Sequence, residues 1–223
     1  MFDATTPKGR ILAAALDCAG RKSWADVSLR DIAETANVPL AELRGLFTTK
    51  SDVIAALLRA VDDEVLKRAP RRAEGQEKRD LLFDTIMTRF DVLGPHKAAL
   101  KSIHASGGAD LALAGPYLSS QHWMLQAAGI GTDGAAGALR VAGLGLAYAS
   151  VFSVWLEDDD PGLARTMAAL DRRLRRGERT MAGLQQLGTA FSRFGEAMQE
   201  LSRSFARGVR PKPTGSGSEA GLP

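Results

Sequence analysis

The sequence is poor in the residues that build disulfides, metal sites and nucleophilic active sites. It has one cysteine, Cys18, and three histidines, His96, His104 and His122. A single cysteine excludes an intramolecular disulfide and a cysteine-based zinc site, and it is compatible with a reducing compartment. None of the histidines has an i, i+4 partner or an acidic companion at metal-ligand spacing. With no glycine-rich phosphate loop or nucleophile elbow either, we expect no enzyme, no bound metal and no cofactor.

Long hydrophobic runs are lacking as well. The N-terminal residues MFDATTPKGR do not contain the apolar core of a signal peptide. The longest uncharged apolar stretch covers 16 residues, 141–156, whereas a membrane-spanning helix needs about 20. We therefore expect a cytoplasmic protein in which residues 141–156 form a buried helix.

Helical spacing dominates the pattern of apolar residues along the chain, and no segment alternates in the way that strands do. Ser28 with Asp31, and Thr49 with Asp52, have the spacing of N-terminal capping boxes. Asn37 can end a helix in a left-handed turn. The sequence therefore predicts an all-α fold, in which a short helix ending at residue 47 follows this turn.

Segments rich in helix breakers divide the chain. PRRAEGQEKR, residues 70–79, marks a boundary, and GVRPKPTGSGSEAGLP has the composition of a disordered tail. We expect a helix-turn-helix head with a connecting helix over residues 1–69, a helical bundle for ligand binding and dimerisation over residues 79–207, and the tail over residues 208–223. Within the bundle, helices are predicted near residues 81–93, 96–105, 116–128 and 134–156, and from Asp160-Pro161 onwards.

Small and apolar residues recur in a particular order over residues 11–58. SLRDIAETANV is followed by LF and then by a lysine. In order, spacing and caps, this stretch resembles the tetracycline-repressor-like (TetR) family of transcriptional regulators. The resemblance implies that Ser28, at the start of the second helix, and Lys50, at the start of the fourth, contact DNA phosphates, and Arg30 could add a contact. The alternative is that these residues are helix caps and solvated surface charges.

The stretch NVPLAELRGLFTTK, residues 37–50, contains the helix that would read DNA bases. It departs from the usual TetR pattern, because its exposed candidates are few. Arg44 could bind a phosphate or a guanine edge, Glu42 could accept from cytosine, and Leu40 could touch a thymine methyl group. The residues predicted to pack this helix onto the head are Leu43, Leu46 and Phe47.

The basic residues lie mostly away from this helix. The net charge is +3, but residues 1–80 hold 14 basic and 13 acidic residues, whereas residues 163–223 hold 11 basic and 5 acidic residues. Counterion release from DNA scales with the number of phosphates that a protein neutralises. We therefore expect a small electrostatic contribution from one head, which two-fold dimerisation would double.

A second resemblance covers roughly residues 79–178. RDLLFDTIMTRFDVLGPHKAALKSI, YLSSQHWMLQAAGI and VFSVWLEDDDPGLARTMAALDRRLRRGE are similar to the lipid-binding auxiliary protein family of ubiquinone biosynthesis. That family has a TetR-like fold. The resemblance implies a protein that no longer binds DNA and instead presents isoprenoid lipid to membrane-associated enzymes.

Two further sets of residues are candidates for ligand and membrane contacts. One set could line an apolar cavity or belong to an ordinary core: Trp123, Met124, Tyr148, Phe152 and Trp155. The other forms an apolar stripe on the last predicted helix: Phe191, Phe194, Met198, Leu201 and Phe205. With arginines close by, that stripe could lie on an anionic membrane surface, or it could dock on the bundle or on a sister subunit.

Two hypotheses follow. The leading one is a homodimeric TetR-type transcriptional regulator that binds double-stranded operator DNA and an apolar small molecule or lipid as effector. The alternative is a lipid-presenting protein for ubiquinone biosynthesis that makes peripheral contact with the membrane.

Overall fold

The computed structural model describes residues 2–69, 74–106 and 110–179. All regular structure in these residues is helical, which confirms the all-α prediction. The helices are α1 (Pro7–Arg21), α2 (Leu29–Thr35), α3 (Leu40–Leu46), α4 (Lys50–Arg68), α5 (Lys78–Leu93), α6 (Lys97–Ser106), α7 (Ala114–Ala127) and α8 (Gly134–Leu156). A further helix, α9, is described over residues 164–179.

Both predicted capping boxes are present in the head. Ser28 Oγ accepts from the Asp31 backbone N–H at 3.1 Å, and Asp31 Oδ2 accepts from the Ser28 backbone N–H at 2.7 Å. At the start of α4, Thr49 Oγ1 and Asp52 Oδ2 accept reciprocally, at 3.1 and 2.8 Å. These bonds satisfy N–H groups that a helix start otherwise leaves without partners, so they fix where α2 and α4 begin.

The turn between α2 and α3 has the predicted left-handed residue. Asn37 has a φ of 49°, a conformation that asparagine tolerates better than most residues. The next residue, Val38, donates its N–H to the Ala33 carbonyl at 3.0 Å, which closes the end of α2. Asn37 therefore sets the angle at which the chain enters α3.

Helix α3 packs on the head through only one side. Leu43 and Phe47 are buried as predicted, but Leu46 is 45% exposed, so its predicted packing role is wrong. Leu43 is the buried residue within this seven-residue helix, and Phe47 reaches the core from the extended backbone just beyond its end. Leu46, the last helical residue, lies about 60° from Leu43 around the axis.

Replacing Thr49 by alanine tests the cap of α4. We expect Thr49→Ala to lower the free energy of unfolding by about 1 kcal/mol, because the Asp52 N–H loses its acceptor. Thr48→Ala is the matched control, since Thr48 contributes its backbone N–H to Asp52 rather than a capping side chain. Urea titration followed by circular dichroism compares the two variants. Equal stability of both would contradict the capping role.

Helix α4 is shared by the head and the bundle, because it contacts α1 of the head and also α5 and α7 of the bundle. A second connection runs through α6. Ser102 Oγ accepts from the Trp24 N–H at 2.9 Å and donates to the Lys22 carbonyl at 3.1 Å. Residues 1–177 consequently form one compact unit.

Helix α8 is buried on one side only. Its inner side packs on α7, where Gly145 allows close approach: a Cβ there would lie 3.3 Å from Tyr117 Cε1. Its outer side is open, and Leu146 is 78% exposed. The most apolar 18-residue window of α8 has a mean hydropathy of 1.5, and 33% of that window is buried. By length and composition alone, the helix is apolar enough to cross a membrane. The expectation of a buried helix therefore holds for the inner side of α8 and is wrong for its outer side.

The chain makes a tight turn between α8 and α9. The Asp160 carboxylate accepts from the N–H groups of Gly162 and Ala164, both at 3.1 Å, so it binds the turn and the first helical residue. The helix begins at residue 164, however, and not at Pro161. Leu163 has a φ of 51°, so the chain turns once more before the helix can start.

Candidate functional site

The outer surface of α3 is the candidate DNA-reading surface. Given about 100° of rotation per residue, its crest opposite the buried Leu43 consists of Ala41 and Gly45. Both are exposed and small, so the helix backbone can approach a groove closely. The predicted reading residues lie on the two flanks: Leu40 and Arg44 on one, and Glu42 on the other. Leu40 is 48% exposed.

The charged side chains of this surface are open to solvent. Glu42 and Arg44 on α3, and Arg30 in the first turn of α2, are exposed. Within the described residues, none of the three makes a side-chain hydrogen bond or ion pair. A guanidinium carries five N–H donors and suits phosphate or guanine edges. The guanidinium groups of Arg30 and Arg44 are therefore available to an external acceptor without first breaking an internal contact.

The Ser28 side chain caps the N-terminus of α2. Besides accepting from Asp31, its hydroxyl donates to Asp31 Oδ2 at 2.7 Å. Asp31 in turn pairs with Lys22 at the end of α1, at 2.9 Å. Hydrogen bonds from Lys22 and Ser28 hold the pKa of Asp31 far below its usual range, so the carboxylate keeps its charge. A phosphate contact by Ser28 would have to share a hydroxyl that already serves the α2 cap.

Lys50 holds the head together. Its Nζ donates to the carbonyls of Trp24 and Val27, both at 2.7 Å, and lies 4.9 Å from the centroid of the Trp24 ring. These bonds satisfy carbonyls at the short 3-10 turn that precedes α2. An ammonium group has three donors, so one remains for a phosphate. The predicted phosphate contact of Lys50 stays a prediction beside this structural role.

The predicted ligand residues separate into two groups. Tyr148, Phe152 and Trp155 come together as successive neighbours on α8, with ring centroids 5.9 and 5.5 Å apart. Phe90 of α5 stacks on both Tyr148 and Trp155, at 5.6 and 5.3 Å. This set of four rings, here called the aromatic cluster, is mostly packed core.

The other two predicted ligand residues are neighbours on α7. Met124 is fully buried on α7. Trp123 is 48% exposed and makes an edge contact with His122 at 5.6 Å. Neighbouring residues on a helix point about 100° apart, so Met124 and Trp123 cannot both face the bundle interior.

A buried polar network was not foreseen from the sequence. Arg89 of α5 is 1% exposed and pairs with Asp62 of α4. Ser120 of α7 donates to the same carboxylate at 2.7 Å, and Arg89 Nε donates to the Tyr148 hydroxyl at 3.0 Å. Burial raises the pKa of the Tyr148 phenol, so the oxygen stays neutral and accepts. Side chains from α4, α5, α7 and α8 are therefore connected through this one ion pair.

A signal for this network exists in the sequence. Asp62 adjoins Val61 and Val65 on the apolar side of α4, and Arg89 lies beside Ile86 and Phe90 on that of α5. A charged residue within each of two apolar stripes indicates a buried pair, since an isolated buried charge is very costly. The pattern shows that partners are needed but not which residues they are.

The apolar stripe of the last predicted helix lies outside the described residues. Its members are Phe191, Phe194, Met198, Leu201 and Phe205. The predicted tail over residues 208–223 lies outside them too. In the residues that are described, no group of three or more histidine, cysteine, aspartate or glutamate side chains could hold a metal ion.

Comparison with known proteins gives matches at the level of structure. No family model and no curated protein matches the sequence. A TetR transcriptional regulator from Nitrosomonas europaea ATCC 19718 has a TM-score of 0.60 and 22% identity, covering 77% of this chain and 97% of that one. One from Rhodococcus sp. RHA1 has a TM-score of 0.58 and 19% identity, covering 75% and 93%.

A third structure, a TetR-family transcriptional regulator from Streptomyces coelicolor, has a TM-score of 0.51 and 17% identity, covering 89% of this chain and 99% of that one. At these identities the likeness concerns the fold. The predicted TetR-like fold, with a helix-turn-helix head on a larger helical bundle, is confirmed. The resemblance to the lipid-presenting family has no counterpart among these three structures.

Proposed function

We propose that this chain is a DNA-binding transcriptional regulator that acts as a homodimer and responds to an apolar effector bound by its C-terminal helices. The main support is the geometry of α3. Leu43 and Phe47 fix the helix to the head, while its crest of Ala41 and Gly45 and the unpaired Arg44 face solvent. The structures that share this fold are described as transcriptional regulators.

In the proposed complex, α3 lies in the major groove. Arg44 binds a guanine edge or a phosphate, Glu42 accepts from cytosine, and Leu40 contacts a thymine methyl group. Arg30 adds a phosphate contact from α2, and Lys50 adds a weaker one through its third N–H donor. A phosphate contact by Ser28 requires its hydroxyl to turn away from Asp31, to which it donates. With so few cations in one head, useful affinity requires two heads on one operator.

The outer side of α8 is the proposed dimer surface. Its exposed residues are apolar or small and carry no charge over four turns: Leu139, Ala142, Gly143, Leu146, Ala149 and Ser153. Small residues let two helix backbones approach closely, and exposed leucines gain by burial against a second copy. A two-fold contact here presents two identical surfaces to each other, as an isologous dimer requires.

The proposed effector site adjoins the aromatic cluster. Trp155 and Phe90 line a cleft of about 410 Å³ that also contains Lys97, the first residue of α6. The same ten-residue helix carries Ser102, which is hydrogen-bonded to Trp24 of the head. An effector that moves α6 would therefore move a contact of the head, which couples effector binding to operator affinity.

Arg44→Ala tests DNA recognition. We expect operator affinity to fall by 1–3 kcal/mol, or about 5- to 150-fold, because the variant loses either a base-edge or a phosphate contact. Electrophoretic mobility shift with DNA from upstream of the gene, at low salt, measures the change. The experiment also compares operator DNA with DNA of random sequence, which separates base recognition from sequence-independent electrostatic binding.

Arg175→Ala is the matched control for this test. It removes the same charge from an exposed arginine on α9, where it pairs with Asp171. Its operator affinity should stay within about twofold of the wild type, since long-range charge effects are screened. If the wild-type protein shows no sequence-selective shift, or if both arginine variants weaken binding equally, the proposed reading role of α3 is wrong.

A further inference from the structure

The start of α3 is exposed and has no polar side chain. Pro39, Leu40 and Ala41, which are the cap and the first two residues of the helix, all face solvent. Leu40 is a large apolar residue that the head leaves 48% exposed. In a helix-turn-helix, the N-terminal residues of the second helix are the ones that contact base edges. At these three positions of α3, a contact with a base cannot be a side-chain hydrogen bond.

The major groove offers one apolar group to such residues. Its base edges display hydrogen-bond donors and acceptors and, on thymine, a C5-methyl group that aliphatic side chains contact. A half-exposed leucine gains by burial against that methyl group, because both lose apolar surface to water. A polar base edge in the same place would lose hydrogen bonds to water without a replacement. The start of α3 therefore favours thymine over the other three bases.

Gly45 leaves the outer surface of α3 without a side chain one turn after Ala41. It is exposed, and a Cβ atom there would have no neighbour within 4 Å. Neither a close neighbour nor a positive φ requires glycine at this position. Apart from proline, glycine is the least favourable residue inside a helix, so it weakens α3. What it allows is a close approach of the α3 backbone to the base edges.

We propose that α3 recognises the 5-methyl groups of thymine in the major groove, through contacts of Leu40 and Ala41 that the absence of a side chain at Gly45 allows. The DNA is thus a duplex with thymines beneath the start of α3 in each half-site. This inference rests on the proposed function, and it adds the chemical group on which recognition depends. Leu46 is not part of the contact, because it lies about 140° from Ala41 around the helix axis.

Thymidine and deoxyuridine differ only in the 5-methyl group, so exchanging them isolates this contact. The full-length wild-type protein first selects duplexes from a random library of unmodified synthetic DNA, in which thymine is the only methylated base. The selected duplex is then prepared with thymidine or with deoxyuridine in its half-sites, and fluorescence anisotropy measures the affinity for each. We expect the thymidine duplex to bind about 15-fold more tightly, which corresponds to about fourfold for one buried methyl group in each of two heads.

Variants of the protein assign the preference to α3. Leu40→Ala should lower the ratio of the two affinities to below about fourfold, because the contact with the methyl group is lost. Leu46→Ala is the matched control: it makes the same truncation at a leucine of the same helix that is 45% exposed, and it should leave the ratio unchanged.

A second pair of variants tests the close approach. Gly45→Gln should weaken binding of the thymidine duplex about tenfold and lower the ratio as well, because its side chain holds α3 away from the bases. Gly20→Gln is the control and should change neither value. Gly20 is the second-last residue of α1, as Gly45 is of α3, and a Cβ atom there is equally free of neighbours.

The outcomes separate this inference from the proposed function. If the wild type selects no sequence from the library, the proposed function is wrong and the inference with it. If it selects a sequence but binds the thymidine and deoxyuridine duplexes equally, only the inference is wrong. An unchanged ratio in Leu40→Ala, or equal changes in Leu40→Ala and Leu46→Ala, also contradicts the inference, because the preference then arises from DNA shape or from another part of the protein.

Discussion

Replacing Arg89 by methionine is expected to lower the free energy of unfolding by about 3–5 kcal/mol, the largest single-site effect that we predict for stability. The variant keeps most of the apolar volume of the side chain but leaves the buried Asp62 without its cation. Ser120 alone would then donate to that carboxylate, at 2.7 Å. An uncompensated charge in the interior costs far more than an exposed one.

The paired variant separates the charge from the packing. Asp62→Leu combined with Arg89→Met removes both charges, and we expect it to be more stable than either single variant, because no buried charge is left unpaired. The Ser120 and Tyr148 hydroxyls would each lose a partner at a cost of about 1 kcal/mol. Equilibrium unfolding in urea, analysed as a double-mutant cycle, gives the coupling energy.

Arg68→Met is the control for this series. Arg68 lies on α4 like Asp62, but it forms an exposed i, i+4 pair with Glu64. Such a pair contributes about 0.3–0.5 kcal/mol, so its loss should be barely measurable. If Arg89→Met costs no more than Arg68→Met, the buried pair does not hold the four helices together.

Leu146→Glu is expected to have the largest effect on function. Leu146 is 78% exposed at the middle of the outer side of α8, where the proposed dimer would bury it. A carboxylate there would face its symmetry-related copy in an apolar contact, which is unfavourable both by desolvation and by like-charge repulsion. We expect a monomer at micromolar concentration, and at least about 100-fold weaker operator binding, since half of the phosphate contacts are lost.

Leu111→Glu provides the control for the dimer test. Leu111 is 85% exposed, but it lies in the short 3-10 turn before α7 and not on α8. This variant should remain dimeric and keep its operator affinity. Sedimentation equilibrium measures the oligomeric state, and mobility shift measures DNA binding. A Leu146→Glu protein that stays dimeric would place the dimer contact elsewhere.

The helices could be predicted because their signals are local. The boxes at Ser28 and Thr49 and the left-handed Asn37 involve residues three or four positions apart, so sequence spacing fixes their geometry. The same reasoning failed for Leu46 and for the outer side of α8. An apolar residue on a helix shows a preference for burial, but another element must be present on that side before the residue is buried.

The candidate sites were predicted unevenly for the same reason. Arg30, Glu42 and Arg44 lie exposed on α2 and α3, and helical spacing was enough to predict them as surface residues. Lys50 was correctly predicted at the start of α4. Its hydrogen bonds to the Trp24 and Val27 carbonyls could not be predicted, because they depend on the tertiary structure. The contacts of Lys97 with Trp155, Asp158 and Asp159 connect α6, α8 and the loop before α9, and no local pattern links these segments.

The sequence by itself determined the all-α architecture, the starts of α2 and α4 and the presence of a helix-turn-helix. Caps, turns and helical periodicity act over a few residues, and they do so in any tertiary setting. Only the tertiary structure decided that Asp62 pairs with Arg89, that Lys97 lies over Trp155, and that α8 exposes one side. Those contacts depend on how helices cross and rotate against each other, and that arrangement is set by packing of the whole core.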